Sequence, residues 1–415
     1  MGLNKIILRF LVLALLLPLV LPIIGTSIVR ADPGWYNTNW QHRKKITVNS
    51  ANVSADLNNF PVMVYLPADS DLAADAQDDG DDLLFTAADE VTKLSHEIES
   101  FNGTTGQLVA WVKIPSLSST VNTDIYLYYD NASVSSQEDA ANVWDSNFRM
   151  VQHLQETSGG TDAIVDSTSN SNNGTDTNGP TLGATGKING AIGFDGSNDY
   201  ISVSDDNSLD ITGSITLEAW VKPVLDASHR RIVIKNYTSW GEPYYMYALW
   251  VTSGGLGFGT SNGAVRNWAL NGTLTNNVWQ HVAGTYNGTE KVWYINGVAV
   301  GTENYTQPIG ANAEELWIGS ALDATTRFNG PIDEVRISST SRSADWILTS
   351  YNNQSNPAVF FSLSAEESAA PSAVGGSVYP VNKLALLVPW LLLITLLSLN
   401  IVNSSDRPGK GYRFG

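Results

Sequence analysis

Short segments of alternating apolar and polar residues, broken by Gly, Asn and Pro, run through most of the chain. Residues 45–48 (KITV), 61–66 (PVMVYL) and 125–129 (IYLYY) show the pattern first. It returns at 215–221, 278–286, 291–295 and 332–337. Alternation of this kind predicts strands with one face buried. Asn287-Gly288 and Asn296-Gly297 flank the segment at Lys291, and Asn-Gly is the strongest short hairpin signal. No helical period persists in the interior, where residues 343–351 are the one weak helical candidate. The expected fold is all-β: one β-sandwich over residues 32–142 and a second, a two-sheet jelly roll, over 143–366.

Two longer apolar runs stand apart at the ends. Residues 10–24 follow Lys5 and Arg9 and lead into Val29-Arg30-Ala31. A basic start, an apolar stretch and small residues at the end predict a signal peptide, residues 1–31, cut after Ala31. Pro18 and Pro22 shorten the clean helix and favour cleavage over an uncleaved anchor. Residues 384–402 are almost wholly apolar and near the ~20 residues that cross a bilayer, so a C-terminal transmembrane helix is expected there. Pro389 falls near one end of that span. The tail, 403–415, holds Arg407, Lys410 and Arg413 against Asp406, which places it in the cytoplasm and everything before the span outside. Residues 367–383, rich in Ser, Ala, Gly and Pro, form a linker between sandwich and membrane.

Composition changes this picture in three ways. The 415 residues include no Cys, so disulfides, thiolate metal sites and a cysteine nucleophile are excluded. The 13 Trp and 16 Tyr argue for packed domains rather than an acidic disordered chain. The net charge is −18. Setting aside seven basic residues of the ends (Lys5, Arg9, Arg30, Lys383, Arg407, Lys410, Arg413) from 23, and Asp406 from 41 acidic ones, leaves 16 and 40, about −24 for the exported part. Such a surface excludes nucleic acid as partner and attracts divalent cations. Glycosylation sequons occur at Asn52, Asn102, Asn131, Asn173, Asn236, Asn271, Asn287, Asn304 and Asn353, as an Asn-, Ser- and Thr-rich composition produces.

In the first domain two acidic groupings are candidates. Glu97 and Glu99, two apart on an expected strand, point to one face. They could form an acid–base pair, but nothing else in the sequence converges on them, which favours a solvated strand face. The aspartates between 69 and 82 suit a calcium loop only superficially: with Gly80 as its central glycine, Thr86 stands where the bidentate Glu belongs. Ordered blocks (WQHRKKIT at 40–47, NFPV at 59–62, DGDDLLFT at 79–86, HEIE at 96–99, WVKIP at 111–115, YLYYDN at 126–131) resemble a domain of unknown function found in prokaryotic surface proteins. The resemblance implies a surface location and no chemistry.

In the second domain six ordered blocks resemble the concanavalin A-like, laminin-G-type domains: His153-Leu154 with 166–174, then 191–201 (AIGFDGSNDYI), 217–223 (LEAWVKP), 279–286 (WQHVAGTY), 293–297 (WYING) and 329–337 (NGPIDEVRI). The resemblance implies a sandwich of curved antiparallel sheets that binds carbohydrate or another surface ligand. It also implies a calcium position at the sandwich edge, with Asp166, Asn170, Asn172 and Asp333 as ligands. The other reading of these Asp and Asn residues is turn formation. Related sandwiches include glycan hydrolases, which need two carboxylates on one face. Here Glu218 stands alone, and Asp333 and Glu334, being adjacent, are expected on opposite faces of a strand.

Aromatic residues are the better lead to a ligand. Trp240, Tyr244, Trp250 and Trp268 lie in a less regular stretch dense in Gly and Asn. If Tyr245, Tyr247 and Leu249 face the core, Tyr244 and Trp250 face out, where they could stack on sugar rings. The expectation is a non-enzymatic, membrane-anchored surface protein that binds a glycan or other cell-surface polymer, serving adhesion. The alternatives are a structural envelope component and a tethered glycan hydrolase.

Overall fold

The computed structural model describes residues 34–237, 244–322 and 326–369. The expected signal peptide, the linker beyond residue 369, the expected span at 384–402 and the basic tail lie outside them. Among the described residues no helix is long and apolar enough to cross a membrane.

The first sandwich contains β1 His42–Val48, β2 Leu57–Leu66, β3 Leu84–Ala87, β4 His96–Asn102, β5 Gln107–Leu117 and β6 Thr123–Tyr129. The second contains β7 Phe148–Gln152, β8 Gly174–Thr177, β9 Thr181–Thr185, β10 Gly190–Asp195, β11 Tyr200–Val203, β12 Ile215–Val221, β13 Arg230–Lys235 and β14 Tyr247–Thr252. It continues with β15 Gly255–Ser261, β16 Arg266–Asn271, β17 Gln280–Tyr286, β18 Glu290–Ile295, β19 Val298–Asn304, β20 Leu316–Ile318 and β21 Asn329–Ser338. Two late strands, β22 Phe361–Leu363 and β23 Glu367–Ser368, return to the first sandwich.

There one sheet has the order β22-β1-β6-β3, with β23 also on β1, and faces the sheet β2-β5-β4. Alternate residues of these strands (Ile46, Val48, Ile125, Leu127) turn inward and are fully buried with Val62, Val64 and Val112. Strand β1 pairs with β22 through Ile46 and Leu363 and with β23 through His42 and Ser368. Residues 367–369, where the linker begins by composition, are thus held on the sheet, and the Ala369 N–H donates to the Gln41 carbonyl at 2.7 Å.

The second sandwich packs the sheet β19-β18-β17-β12-β21-β10-β9, with β7 on β21, against the sheet β16-β15-β14-β13-β20-β11-β8. Its core is Leu217, Ala219 and Val221 of β12 against Tyr247, Leu249 and Val251 of β14 and Phe258 of β15. The expected hairpin between β18 and β19 turns at Asn296 (φ 51°) and Gly297 (φ 78°), both left-handed as a type I′ turn requires.

The helical candidate near the end is a helix, Ala344–Ser355, N-capped by Ser343, whose side chain accepts from the Trp346 N–H. It lies between the sandwiches. Trp346 meets Phe60 of the first at 4.8 Å, and Tyr351 stacks on Trp220 of the second at 5.8 Å. Trp144, Phe148, Ala283 and Tyr294 join the core of the first sandwich, so the two cores run together. Asn131, Asn236 and Asn353 are buried, which removes three of the sequons from reach of glycosylation in the folded chain.

Candidate functional site

The outer face of the β13–β16 sheet carries the aromatic candidates. Trp250 does lie opposite the core-facing Tyr247 and Leu249, but it is 1% exposed. The expected outward surface is itself covered, because β15 places Gly257 opposite Trp250 and lets the indole lie flat on the strand. A Cβ on Gly257 would stand 2.0 Å from Trp250 Cε2. The neighbouring Gly259 does the same for Tyr245, whose Oη would be 2.3 Å from such an atom. Tyr245 precedes β14 and packs with Trp250, not with Tyr247.

Around Trp250 the Arg231 guanidinium sits 4.6 Å from the ring centroid. His229 stacks on the ring at 5.8 Å, and Trp268 meets it edge-on at 5.9 Å. Trp268 is the outermost, 42% exposed. Tyr244, half-buried, lies under Arg266 at 4.7 Å. Trp240 lies outside the described residues. On the same sheet Tyr200 stacks on Trp317 at 4.1 Å, a pair with no part in the sequence expectation. Two buried polar atoms in this layer, Trp250 Nε1 and Tyr245 Oη, have no hydrogen-bond partner. Burial pushes the Tyr245 phenol up to about 12, so it stays a neutral donor. Unsatisfied buried donors are uncommon and costly, about 1–3 kcal/mol each.

The calcium candidates do other work. Asp166 Oδ1 accepts from the N–H groups of Val151 and Thr168, and Oδ2 from the Thr168 hydroxyl and the Asn172 N–H, all within 3.0 Å. Asn170 and Asn172 donate their side-chain amides to the Arg149 carbonyl. Asp333 is elsewhere: its Oδ2 accepts from the N–H groups of Lys187 and Ile188. The four residues build turns and do not form one ligand set for a calcium ion. Two aspartates of the first domain's acidic run are likewise engaged. Asp69 caps the helix Ser70–Asp75 and holds Lys44 at 2.5 Å, and Asp82 accepts from Gln77 and Asn131 N–H groups.

Glu97 and Glu99, by contrast, are not solvated. Both are buried where β4 meets the second sandwich, and His153 lies between them, 3.5 Å from Glu97 and 3.6 Å from Glu99. Glu334 approaches the same imidazole at 2.7 Å and is held by Arg336. Trp144 and Ser167 donate to Glu97, and Trp111 to Glu99. The expectation that Asp333 and Glu334 point apart fails because Glu334 is left-handed (φ 54°) at a register shift between β12 and β21, which breaks the alternation. Burial alone would push His153 down, but the carboxylates of Glu334, Glu97 and Glu99 outweigh it and hold the imidazole well above its usual range. Burial would raise Glu97 and Glu334; His153 holds both below the usual carboxylate range, with Arg336 adding to it at Glu334. Burial raises Glu99 to about 7. In front of the cluster a cleft of about 740 Å³ is lined by Glu97, Ser100, His153, Glu156, Ser167 and Asn189. Local pattern held no sign of this cluster, since its members come from β4, β21 and the loop that follows β7.

Residues 195–348 match the family described as the concanavalin A-like lectin/glucanases superfamily, and residues 79–163 match a domain of unknown function, DUF2341. Both resemblances carried by the sequence blocks are met. No curated protein matches the chain. Among solved structures, the binding domain of Paraclostridial Mosquitocidal Protein 1 is similar at 16% identity and a TM-score of 0.41, over 49% of this chain and 52% of that one. The botulinum neurotoxin serotype G binding domain is similar at 13% and 0.39, over 49% and 50%. Domain 4 of AbnA, a GH43 extracellular arabinanase from Geobacillus stearothermophilus solved with arabinotriose, is similar at 19% and 0.39, over 50% and 98%. The chain spans about half the length of the two toxin structures.

Proposed function

We propose that the chain is a membrane-anchored cell-surface protein whose second sandwich binds carbohydrate without catalysis and so serves adhesion. The observation that carries this reading is the layered aromatic face of β13–β16. Trp268 is exposed at its top, Trp250 and Arg231 lie beneath, and the buried donors Trp250 Nε1 and Tyr245 Oη are unpaired. The exposed indole plane of Trp268 suits the apolar face of a sugar ring, and the packed layer beneath holds it in place. The lectin/glucanase family of residues 195–348 supports the same ligand class. Anchorage rests on the apolar run 384–402 and its basic tail. The test is a glycan array probed with the full chain in detergent, beside Trp268→Ala. Retention on a defined set of glycans, weakened in the variant, is expected; retention on none overturns the reading.

A second reading, glycan hydrolysis, is favoured by Glu97 at the wall of the 740 Å³ cleft. Glu99 and Glu334, however, lie behind that wall, fully buried and tied to His153. Release of reducing sugar by the wild type, abolished in Glu97→Gln, would establish it.

A further inference from the structure

At the open edge of the second sandwich, where β16 ends one sheet and β18 and β19 end the other, three side chains meet. Lys291 of β18 is fully buried, and its Nζ lies 2.6 Å from Asn267 Oδ1 and 3.0 Å from the Asn267 carbonyl. With a C=O bond of ~1.2 Å, Nζ is then within about 3.8 Å of the Asn267 Cγ. The Asn267 amide nitrogen, Nδ2, donates to Glu303 Oε1 at 2.8 Å. Glu303 is the cross-strand partner of Lys291 on β19, and its second oxygen is buried with no partner. The rings of Tyr305 (4.2 Å), Phe258 (5.7 Å) and Tyr286 (5.9 Å) surround the amine.

We infer that Lys291 and Asn267 join in an intramolecular isopeptide bond, formed with Glu303 as its catalytic residue. An amine, a primary amide and a carboxyl group held in contact away from water are the full set of reactants for this step. The lone pair of the neutral Nζ adds to Cγ. Nζ gives up a proton, and a proton reaches Nδ2 through the Glu303 carboxyl group beside it. The Cγ–Nδ2 bond then breaks. The amine and the amide become one secondary amide and one molecule of ammonia, with no oxidant or co-reactant needed. The neutral amine is accessible because burial pulls Lys291 down to about 7. Fixed contact replaces the encounter that makes such a reaction slow between free groups. The product ties one sheet of the sandwich to the other, in a chain with no cysteine to do so.

The test is trypsin digestion of the denatured full chain followed by mass spectrometry. No Lys or Arg lies between Arg266 and Lys291, nor between Lys291 and Arg327. Unlinked protein releases the peptide 267–291. Linked protein resists cleavage at Lys291 and yields a fragment 267–327 lighter than its sequence by one ammonia. The second result is expected. Peptide 267–291 at its sequence mass, or a 267–327 fragment at full mass, overturns the inference. Glu303→Gln keeps both reacting groups and should return peptide 267–291; a linkage that persists in that variant removes Glu303 from the mechanism.

Discussion

Asn353 and Met63 close on each other twice: the Met63 N–H donates to Asn353 Oδ1 at 2.6 Å, and Asn353 Nδ2 donates to the Met63 carbonyl at 2.9 Å. The side-chain amide of a helix thus occupies the place of a strand at the edge of β2. Both residues are about 1% exposed, so water cannot replace either bond. Asn353→Ala leaves two buried backbone groups unpaired and should cost at least ~2 kcal/mol. Denaturant unfolding checks this, and an unchanged midpoint would show that the bridge contributes nothing.

The His153 cluster predicts a pH dependence. The Glu99 carboxyl titrates near 4.5 unfolded and about 7 folded, so folding favours its protonated form. Its contribution is fully present below ~4.5 and is lost as pH rises through 7, on the order of 3 kcal/mol in all. Glu99→Gln keeps the acceptor for Trp111 and cannot ionise. The melting temperature of the wild type should fall relative to this variant between pH 5 and 8. Parallel curves would mean that Glu99 does not titrate in that window.

Trp268 is exposed and packs mainly on other rings, so Trp268→Ala should leave the melting temperature within a few degrees. Glycan retention should drop about tenfold, the loss of one stacking surface worth ~1 kcal/mol or more. Titration calorimetry against a glycan found on the array measures it. Equal affinity in the variant would move the ligand away from this face.

Gly257→Ala puts a methyl group where the Trp250 ring lies. The ring must leave its bed, at a cost of about 1–3 kcal/mol, and the donor Trp250 Nε1 goes with it. Near-UV circular dichroism should change and glycan binding weaken together. A stable variant with unchanged binding would show that Trp250 takes no part.

Glycan binding should survive a chelator. Asp166 already accepts four hydrogen bonds, three from its own loop and one from Val151 of β7, and Asp333 belongs to a different part of the sandwich. Loss of binding in chelator, restored by calcium, would point to a cation held by other residues.

Strands and turns were legible wherever the information is local. Alternation at 215–221 and the Asn296-Gly297 turn need only their own neighbours, and Ser343 announces its helix three residues ahead of Trp346. Glu97 and Glu99 were misread as a solvated face for the opposite reason. What buries them, His153 after β7 and Glu334 on β21, arrives from far along the chain, and alternation within β4 says nothing about what covers it. The same holds for Trp250. Strand parity chose its side of the sheet correctly, but only the glycines of β15 and the ring of Trp268 decide that this side is covered. Asn267 and Glu303 sit on edge strands and Lys291 on the strand beside one, all ordinary by pattern, and their meeting depends on how two sheets close.

The return of β22 and β23 to β1 has a consequence for synthesis. The Lys45 N–H and the Ser364 hydroxyl that bond across this seam are 319 residues apart. While the chain is being made, β1 emerges first and waits with one edge bare until the whole second sandwich has been delivered. Closure of the first sandwich therefore cannot be completed before residues 361–368 have been made. Until it happens, β1 offers an open strand edge to any neighbour, which makes the newly made chain most prone to aggregation in the interval before residues 361–368 appear.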